Sequence, residues 1–170
     1  PFMRELWGRY WIFAHNGNLI DFHPAFDGSF LPVGATDSER AFCWLLQNLR
    51  QRFGNSAPAR DALLAALQDL TIEIARRGEF NFLLSNGDRL FAHASTQLAY
   101  IVRQAPFTQA HLMDQDVTVD FSQVTTPDDR VAVVATIPLT DNEAWLTMAP
   151  GSLEVSDLSW SVMRHHHLLP

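Results

Sequence analysis

The spacing of apolar residues changes near Gly78, and this change constrains the fold more than any other feature of the chain. Two stretches before Gly78, residues 41–53 and 58–77, carry apolar residues at helical spacing. After Gly78 the pattern becomes that of short strands separated by turns. Two helices followed by hairpin-linked strands predict an α+β fold, in contrast to alternating βαβ units. No repeat or linker interrupts the 170 residues, so we expect a single domain, residues 1–170.

Local signals set the ends of both predicted helices. Thr36-Asp37-Ser38-Glu39 matches a capping box, and Gly54 is a suitable stop for the first helix. The second helix is predicted to begin near Pro58 and to end at Arg77.

The first strand is predicted to form a hairpin. Residues 10–15 are rich in strand formers, Asn16-Gly17 suits a tight turn, and residues 19–22 could return as a second strand. Further strands are predicted at residues 80–84, 89–94, 98–103, 117–121, 131–137 and 153–155. The first two of these form another hairpin across residues 85–88.

Composition excludes several classes of function. The net charge of −7 argues against a nucleic-acid partner, and no apolar run reaches the roughly 18 residues of a membrane span. All 12 basic residues are Arg, which excludes a Walker A loop or a Schiff-base lysine within this chain. The single cysteine, Cys43, excludes a disulfide framework and is predicted to be a core side chain rather than a nucleophile. We therefore expect a cytoplasmic protein.

The histidines show no metal-binding pattern. His15, His23, His93 and His111 lack the paired spacing of metal ligands, so no metal and no cofactor is predicted. The run His165-His166-His167 is predicted to be a solvated tail, with a metal tract as the alternative. Consecutive side chains cannot all face one ion on a regular element, which favours the tail.

Two motifs each allow a structural and a chemical interpretation. His15-Asn16-Gly17 fits a type I′ turn, or an oxyanion hole made by the Asn16 amide and the Gly17 N–H. The sequence Thr36-Asp37-Ser38-Glu39 fits a helix cap, or a carboxylate at Asp37 that binds an ammonium group. From the residues alone, the structural interpretation is favoured for both motifs.

Taken together, these motifs resemble one family, the class II glutamine amidotransferases, and in particular its small stand-alone bacterial members. The early stretches that carry the resemblance are Arg4-Glu5-Leu6-Trp7-Gly8-Arg9, Trp11-Ile12-Phe13-Ala14-His15-Asn16-Gly17, Leu31-Pro32-Val33-Gly34 and Thr36-Asp37-Ser38-Glu39-Arg40-Ala41-Phe42-Cys43-Trp44-Leu45-Leu46. The later stretches are residues 80–85, 103–107, 112–116 and 138–145. The resemblance covers essentially the whole chain.

The resemblance implies an N-terminal-nucleophile hydrolase fold, a four-layer αββα sandwich of two antiparallel sheets flanked by helices. In that family an N-terminal Cys, with its own α-amino group as base, attacks the side-chain amide of glutamine. Ammonia leaves, and water releases glutamate from a γ-glutamyl thioester. The resemblance assigns Asn16 and Gly17 to the oxyanion hole and Asp37 to the substrate α-ammonium.

One departure from the family concerns the N-terminus. The nucleophilic Cys and the substrate-binding Arg of the family precede the segment that Pro1 matches. Pro1-Phe2 resembles the end of a family His-Pro-Phe stretch, so the chain resembles about the last two-thirds of such a protein. The 170 residues alone are expected to be inactive, whereas a longer protein would act on glutamine as its small-molecule substrate. The sequence leaves open a homo-oligomer or a synthase partner.

Three other functions remain open at this point. One is hydrolysis of γ-glutamyl peptides or conjugates on the same fold. Another is an inactive domain that binds a γ-glutamyl ligand or a protein. The third is catalysis by the secondary amine of Pro1, as in the tautomerases, although nothing else in the chain fits that class.

Overall fold

The computed structural model describes residues 1–157 and 164–167. The α-helices are α1 (Asp37–Phe53) and α2 (Arg60–Ala75), with a short 3₁₀ helix at Phe121–Gln123. The strands are β1 (Phe2–Leu6), β2 (Arg9–Leu19), β3 (Gly78–Ser85), β4 (Arg89–Ala94), β5 (Ala99–Gln104), β6 (Gln109–His111), β7 (Thr118–Asp120), β8 (Arg130–Ala135), β9 (Leu146–Thr147), β10 (Ser152–Asp157) and β11 (Arg164–His167). The predicted α+β fold is confirmed.

Two antiparallel sheets and a helical layer make up the body of the fold. The large sheet has the order β1-β2-β3-β4-β10-β11, and the small sheet has the order β8-β5-β9. A separate two-stranded sheet joins β6 and β7. Both α-helices contact the large sheet, which lies between them and the small sheet. The described residues therefore provide three of the four layers of the αββα arrangement.

Alternation along the strands divides the core in two. Phe13, Phe80 and Phe82 face the helices and pack with Phe42 in a fully buried aromatic cluster. Residues on the other face of β4 pack against the small sheet; these are Ala92 and Ala94, which contact Leu98, Tyr100 and Met148. Successive side chains of a strand point to opposite faces, so β3 and β4 contribute side chains to both cores.

The hairpin predicted at Asn16-Gly17 is wrong. Strand β2 continues through these residues to Leu19, with Asn16 opposite Asn81 and Gly17 opposite Phe80 in β3. Pairing with β3 along this whole stretch outweighs the local turn preference of Asn-Gly. For the same reason, residues 19–22 do not form a return strand.

The first turn lies instead at Trp7-Gly8, where both residues have positive φ values of 59° and 75°. Gly8 adopts this conformation without steric cost. Trp7 is held there by contacts: its indole N–H donates to the Gly54 carbonyl at 2.9 Å, and its ring packs edge-on against Trp11 and Phe53. Packing of Trp7 offsets the backbone cost of the turn.

The predicted cap and end of the first helix and the second hairpin are confirmed, whereas α2 (Arg60–Ala75) begins and ends two residues inside its predicted bounds. Helix α1 begins at Asp37, with the Thr36 hydroxyl accepting the Glu39 N–H at 3.3 Å, and Gly54 follows its end with a φ of 67°. The turn between β3 and β4 is closed by Asn86, whose Oδ1 accepts the N–H groups of Asp88 and Arg89.

The three histidines do not form the predicted tail. Residues Arg164–His167 form β11 and pair with β10, with His167 opposite Ser152. Strand pairing places this segment in the large sheet; residues 168–170 lie outside the described residues. Among residues 1–157 and 164–167, no helix has the length and apolar character needed to cross a bilayer.

Candidate functional site

Two hydrogen bonds bring the three predicted site residues to one corner of the large sheet. The Leu19 N–H donates to Asp37 Oδ2 at 2.8 Å, and His15 Nδ1 lies 2.9 Å from the Ser38 hydroxyl. These contacts hold the first turn of α1 against the strand segment that carries Asn16 and Gly17. The structure therefore places Asp37 beside the segment of β2 that carries Asn16 and Gly17, although the Asn-Gly turn predicted for these two residues does not exist.

The Asp37 carboxylate is half-buried and firmly held. Besides the bond from Leu19, its Oδ1 accepts the Ser38 N–H at 2.7 Å and lies 3.3 Å from the Ser38 hydroxyl. Each carboxylate oxygen has two lone pairs, so Asp37 keeps the capacity to accept from a bound ammonium group. Its position at the helix start is one where a cation needs a carboxylate partner.

The Asn16 side chain lies on the opposite face of β2, toward the small sheet. Its Nδ2 donates to the Thr136 hydroxyl at 2.8 Å, just beyond the end of β8. A cavity of about 150 Å³ opens here between the sheets, lined in part by Asn16, Asn81 and Thr136. An amide nitrogen carries two hydrogens, and within the described residues only one of them has an acceptor. The second can donate into the cavity.

Gly17 occupies a place where no side chain fits. A Cβ atom added there would lie 2.0 Å from the carbonyl oxygen of Glu79 and 2.8 Å from Nε2 of His15. The backbone of β2 therefore approaches β3 more closely than any other residue type would permit. The glycine is required by this close approach and not by a turn.

Asn81 also lies at the candidate site and was not predicted from the sequence. It is 4% exposed, and its Nδ2 donates to the Asn16 carbonyl at 3.0 Å and to the Thr96 hydroxyl at 2.9 Å. Its Oδ1 accepts the N–H groups of Ser95, Thr96 and Gln97. Asn81 thus fixes the backbone at Asn16 and the loop after β4. The available signal was an amide between two phenylalanines of a buried strand.

Glu39 also has a role beyond the predicted capping box. Its carboxylate turns away from Thr36 and accepts the N–H groups of Val33 and Gly34, at 3.1 and 2.7 Å, and the Arg4 guanidinium at 2.6 Å. Burial opposes ionisation of this group, but the two N–H groups and Arg4 outweigh burial and hold the Glu39 pKa below its ordinary value. Glu39 thereby anchors the loop that leads into Asp37.

Cys43 is not a nucleophile in this arrangement, as the sequence predicts. The side chain is fully buried on α1, and burial raises the pKa of its thiol. In the part of the chain that the structure describes, no three His, Cys, Asp or Glu side chains are grouped so that they could hold a metal ion.

Similar proteins of known structure share this fold. A crystal structure of a predicted glutamine amidotransferase from Pseudomonas aeruginosa PA01 superposes with a TM-score of 0.84 at 50% identity, covering 96% of this chain and 63% of that one. Glutamine phosphoribosylpyrophosphate amidotransferase from Bacillus subtilis matches with a TM-score of 0.54 at 14% identity, over 99% of this chain and 31% of that one. At that identity the second likeness concerns the fold alone.

Sequence relatives give the same family. YafJ from Escherichia coli (strain K12), named as a glutamine amidotransferase, is 50% identical over 151 residues, which cover 89% of this chain and 59% of YafJ. A protein of the same description from Haemophilus influenzae is 44% identical over 151 residues, 89% of this chain and 51% of its own length. The chain thus spans between half and two-thirds of these relatives. The model of the family "Glutamine amidotransferases class-II" matches residues 1–165, and the chain therefore belongs to the class II glutamine amidotransferases.

Proposed function

We propose that this chain supplies the oxyanion hole and the ammonium-binding carboxylate of an enzyme that hydrolyses the side-chain amide of glutamine. The observation that carries the proposal is the bond from the Leu19 N–H to Asp37, at 2.8 Å. It holds a carboxylate beside the strand segment that contains Asn16 and Gly17. A substrate with an α-ammonium group and a side-chain amide matches that pair of features.

In the proposed reaction, the thiolate of an N-terminal Cys preceding Pro1 in a longer protein attacks the amide carbon of glutamine. The carbonyl oxygen becomes an oxyanion, which accepts hydrogen bonds from Asn16 Nδ2 and the Gly17 N–H. The tetrahedral intermediate expels ammonia, after its nitrogen takes the proton held by the α-amino group of the Cys. Water then attacks the γ-glutamyl thioester and releases glutamate.

Asp37 contributes substrate binding in this scheme. Its carboxylate is acceptor-only and pre-positioned by Leu19 and Ser38, so it can pair with the α-ammonium group without reorganising. The 170 residues alone are proposed to bind but not to turn over glutamine, because their one thiol, Cys43, is buried. A reducing, cytoplasmic setting suits an enzyme with a cysteine nucleophile.

The experiment compares the 170-residue chain with a protein extended to the N-terminal Cys of its gene, measuring glutamate released from glutamine. We expect turnover only in the extended protein and a drop in kcat of about 10²-fold for Asn16→Ala in it. Asn18→Ala, an exposed change on the same strand, serves as the control. A gene without that Cys, or an unchanged kcat in Asn16→Ala, would contradict the proposal. Faster release of glutamate from γ-glutamylalanine would favour the γ-glutamyl hydrolase alternative.

A further inference from the structure

A second cavity, of about 600 Å³, lies where the C-terminal end of α2 meets the start of β3. Its volume is within the range of small-molecule sites, roughly 300–1,000 Å³. Ile72 and Ala75 of α2 provide apolar wall, and His93 of β4 lines the cavity from the sheet. Asn16 and Asp37 do not line this cavity, and the proposed reaction does not use it.

His93 carries an unused hydrogen-bond acceptor. The residue is 1% exposed, and its Nδ1 lies 2.6 Å from the Phe80 carbonyl oxygen. A carbonyl only accepts, so Nδ1 carries the hydrogen and Nε2 carries a lone pair. Nε2 has no partner among the described residues. Since His93 lines the cavity, this lone pair is a candidate acceptor for a molecule bound there.

The same cavity presents two hydroxyl donors. The Ser95 hydroxyl oxygen accepts the Phe80 N–H at 2.7 Å, and the Thr96 hydroxyl oxygen accepts from Asn81 Nδ2 at 2.9 Å. Each oxygen is thus fixed in place while its own hydrogen has no acceptor within residues 1–157. The cavity combines a buried acceptor, two nearby hydroxyl groups and an apolar wall, and the charged residues Arg76 and Glu79 also line it.

We propose that this cavity binds a small molecule with a primary carboxamide on an apolar body. The amide NH₂ donates to His93 Nε2, and the amide oxygen accepts from the hydroxyl of Ser95 or Thr96. The apolar body packs against Ile72 and Ala75. A carboxamide pairs one donor face with one acceptor face, which matches the two kinds of group in the cavity. This proposal does not depend on the glutamine reaction.

Burial keeps the His93 acceptor available. Burial lowers the pKa of His93, and this effect outweighs the opposing effect of the bond to Phe80, so that the pKa is about 4. The ring is therefore neutral at pH 7. A neutral imidazole accepts a hydrogen bond at Nε2, whereas a protonated one would donate. Binding of the carboxamide is therefore expected to weaken as the pH falls toward 4.

The test titrates the ¹⁵N-histidine-labelled chain with benzamide and, separately, with acetophenone, which has a methyl group in place of the NH₂. We expect benzamide to move the His93 Nε2 resonance upfield, as accepting a hydrogen bond does, and acetophenone to leave it in place. This comparison uses the unchanged chain, so it does not depend on a variant folding. Equal shifts with both compounds, or none with benzamide, would overturn the proposal.

A variant series tests the same contact. His93→Phe keeps the ring packing and removes the acceptor, so benzamide binding should weaken about tenfold. His23→Phe changes an exposed histidine that lies outside the cavity and should leave the affinity unchanged. Circular dichroism confirms folding of each variant. Unchanged benzamide affinity in a folded His93→Phe variant would show that His93 does not bind the amide.

Discussion

At the scale of the residue, Gly17 is required by the close approach of Glu79, a residue far along the chain. The sequence predicts a glycine with positive φ in a turn, whereas the structure requires a missing Cβ beside the Glu79 carbonyl. Asn81 is similar, because its five hydrogen bonds link Asn16 to a loop that the sequence places elsewhere. Residue types suitable for the chemistry were predicted at Asn16, Gly17 and Asp37; the contacts that hold them were not.

The glycine requirement gives a direct stability test. Gly17→Ala would place a Cβ about 2.0 Å from a backbone oxygen, so β2 and β3 must move apart. We expect the free energy of unfolding to fall by about 2 kcal/mol, as for other overpacked sites. Urea denaturation measures it, with Asn18→Ala as the exposed control on the same strand. An unchanged denaturation midpoint for Gly17→Ala would show that the strands do not approach so closely.

At the scale of the element, local signals succeeded where the residues that decide the structure are neighbours in sequence. The start of α1 and the turn at residues 85–88 depend on bonds made within a few residues by Thr36 and Asn86. The turn predicted at Asn16-Gly17 was wrong because pairing with β3 keeps these residues in an extended strand. The loop anchored by Glu39 was missed because its other partner, Arg4, lies in β1.

Glu39 provides the prediction for the loop before α1. Glu39→Gln removes the charged acceptor of three donors, the Val33 N–H, the Gly34 N–H and the Arg4 guanidinium. We expect the free energy of unfolding to fall by about 2 kcal/mol at pH 7. The pKa of Glu39 is lowered on folding, so its contribution is present above the ordinary pKa of a glutamate, about 4.3, and is lost as the pH falls through the lowered value.

Urea denaturation at pH 7 and at pH 3 measures this contribution. We expect the free energies of unfolding of wild type and Glu39→Gln to differ strongly at pH 7 and less at pH 3. Glu73→Gln is the control, since Glu73 is exposed and makes no hydrogen bond within residues 1–157. A cost for Glu39→Gln that does not depend on pH would contradict the assigned ionised state of Glu39.

At the scale of the whole molecule, the α+β order followed from periodicity, but the layer arrangement did not. The central strands β3 and β4 have apolar residues on both faces, such as Phe91 and Ala92 in β4, so alternation alone does not tell which face of these strands meets the helices. The resemblance to a family implied the sandwich. A run of three histidines has no apolar alternation, so the sequence did not predict that β11 joins the large sheet.

The acid stability of the molecule should depend on His93. Its pKa falls from 6.5 to about 4 on folding, so the unfolded chain binds the proton more readily between these values. Stability should therefore decrease as the pH falls through that window, by up to about 3 kcal/mol. His111 acts in the opposite direction, because bonds to Asp141 and Asp116 raise its pKa.

Thermal denaturation from pH 7 to pH 4 measures this dependence. In His93→Phe the decline between pH 6.5 and pH 4 should flatten, whereas in His111→Asn that decline should be unchanged, because the raised pKa of His111 places its own pH-dependent contribution above pH 6.5. A His93→Phe variant with the same decline as wild type would mean that the His93 imidazole takes up its proton equally well in the folded chain.

The measurement that tests the central claim most directly concerns Asp37 and the α-ammonium group. It compares kcat/KM for glutamine and for glutaramate, which lacks the α-amino group, in the extended protein and its Asp37→Asn variant. We predict that the extended protein prefers glutamine by roughly 10- to 100-fold, the range for a hydrogen-bonded charge, and that Asp37→Asn loses most of that preference. The same preference in both proteins would show that Asp37 does not bind the α-ammonium group.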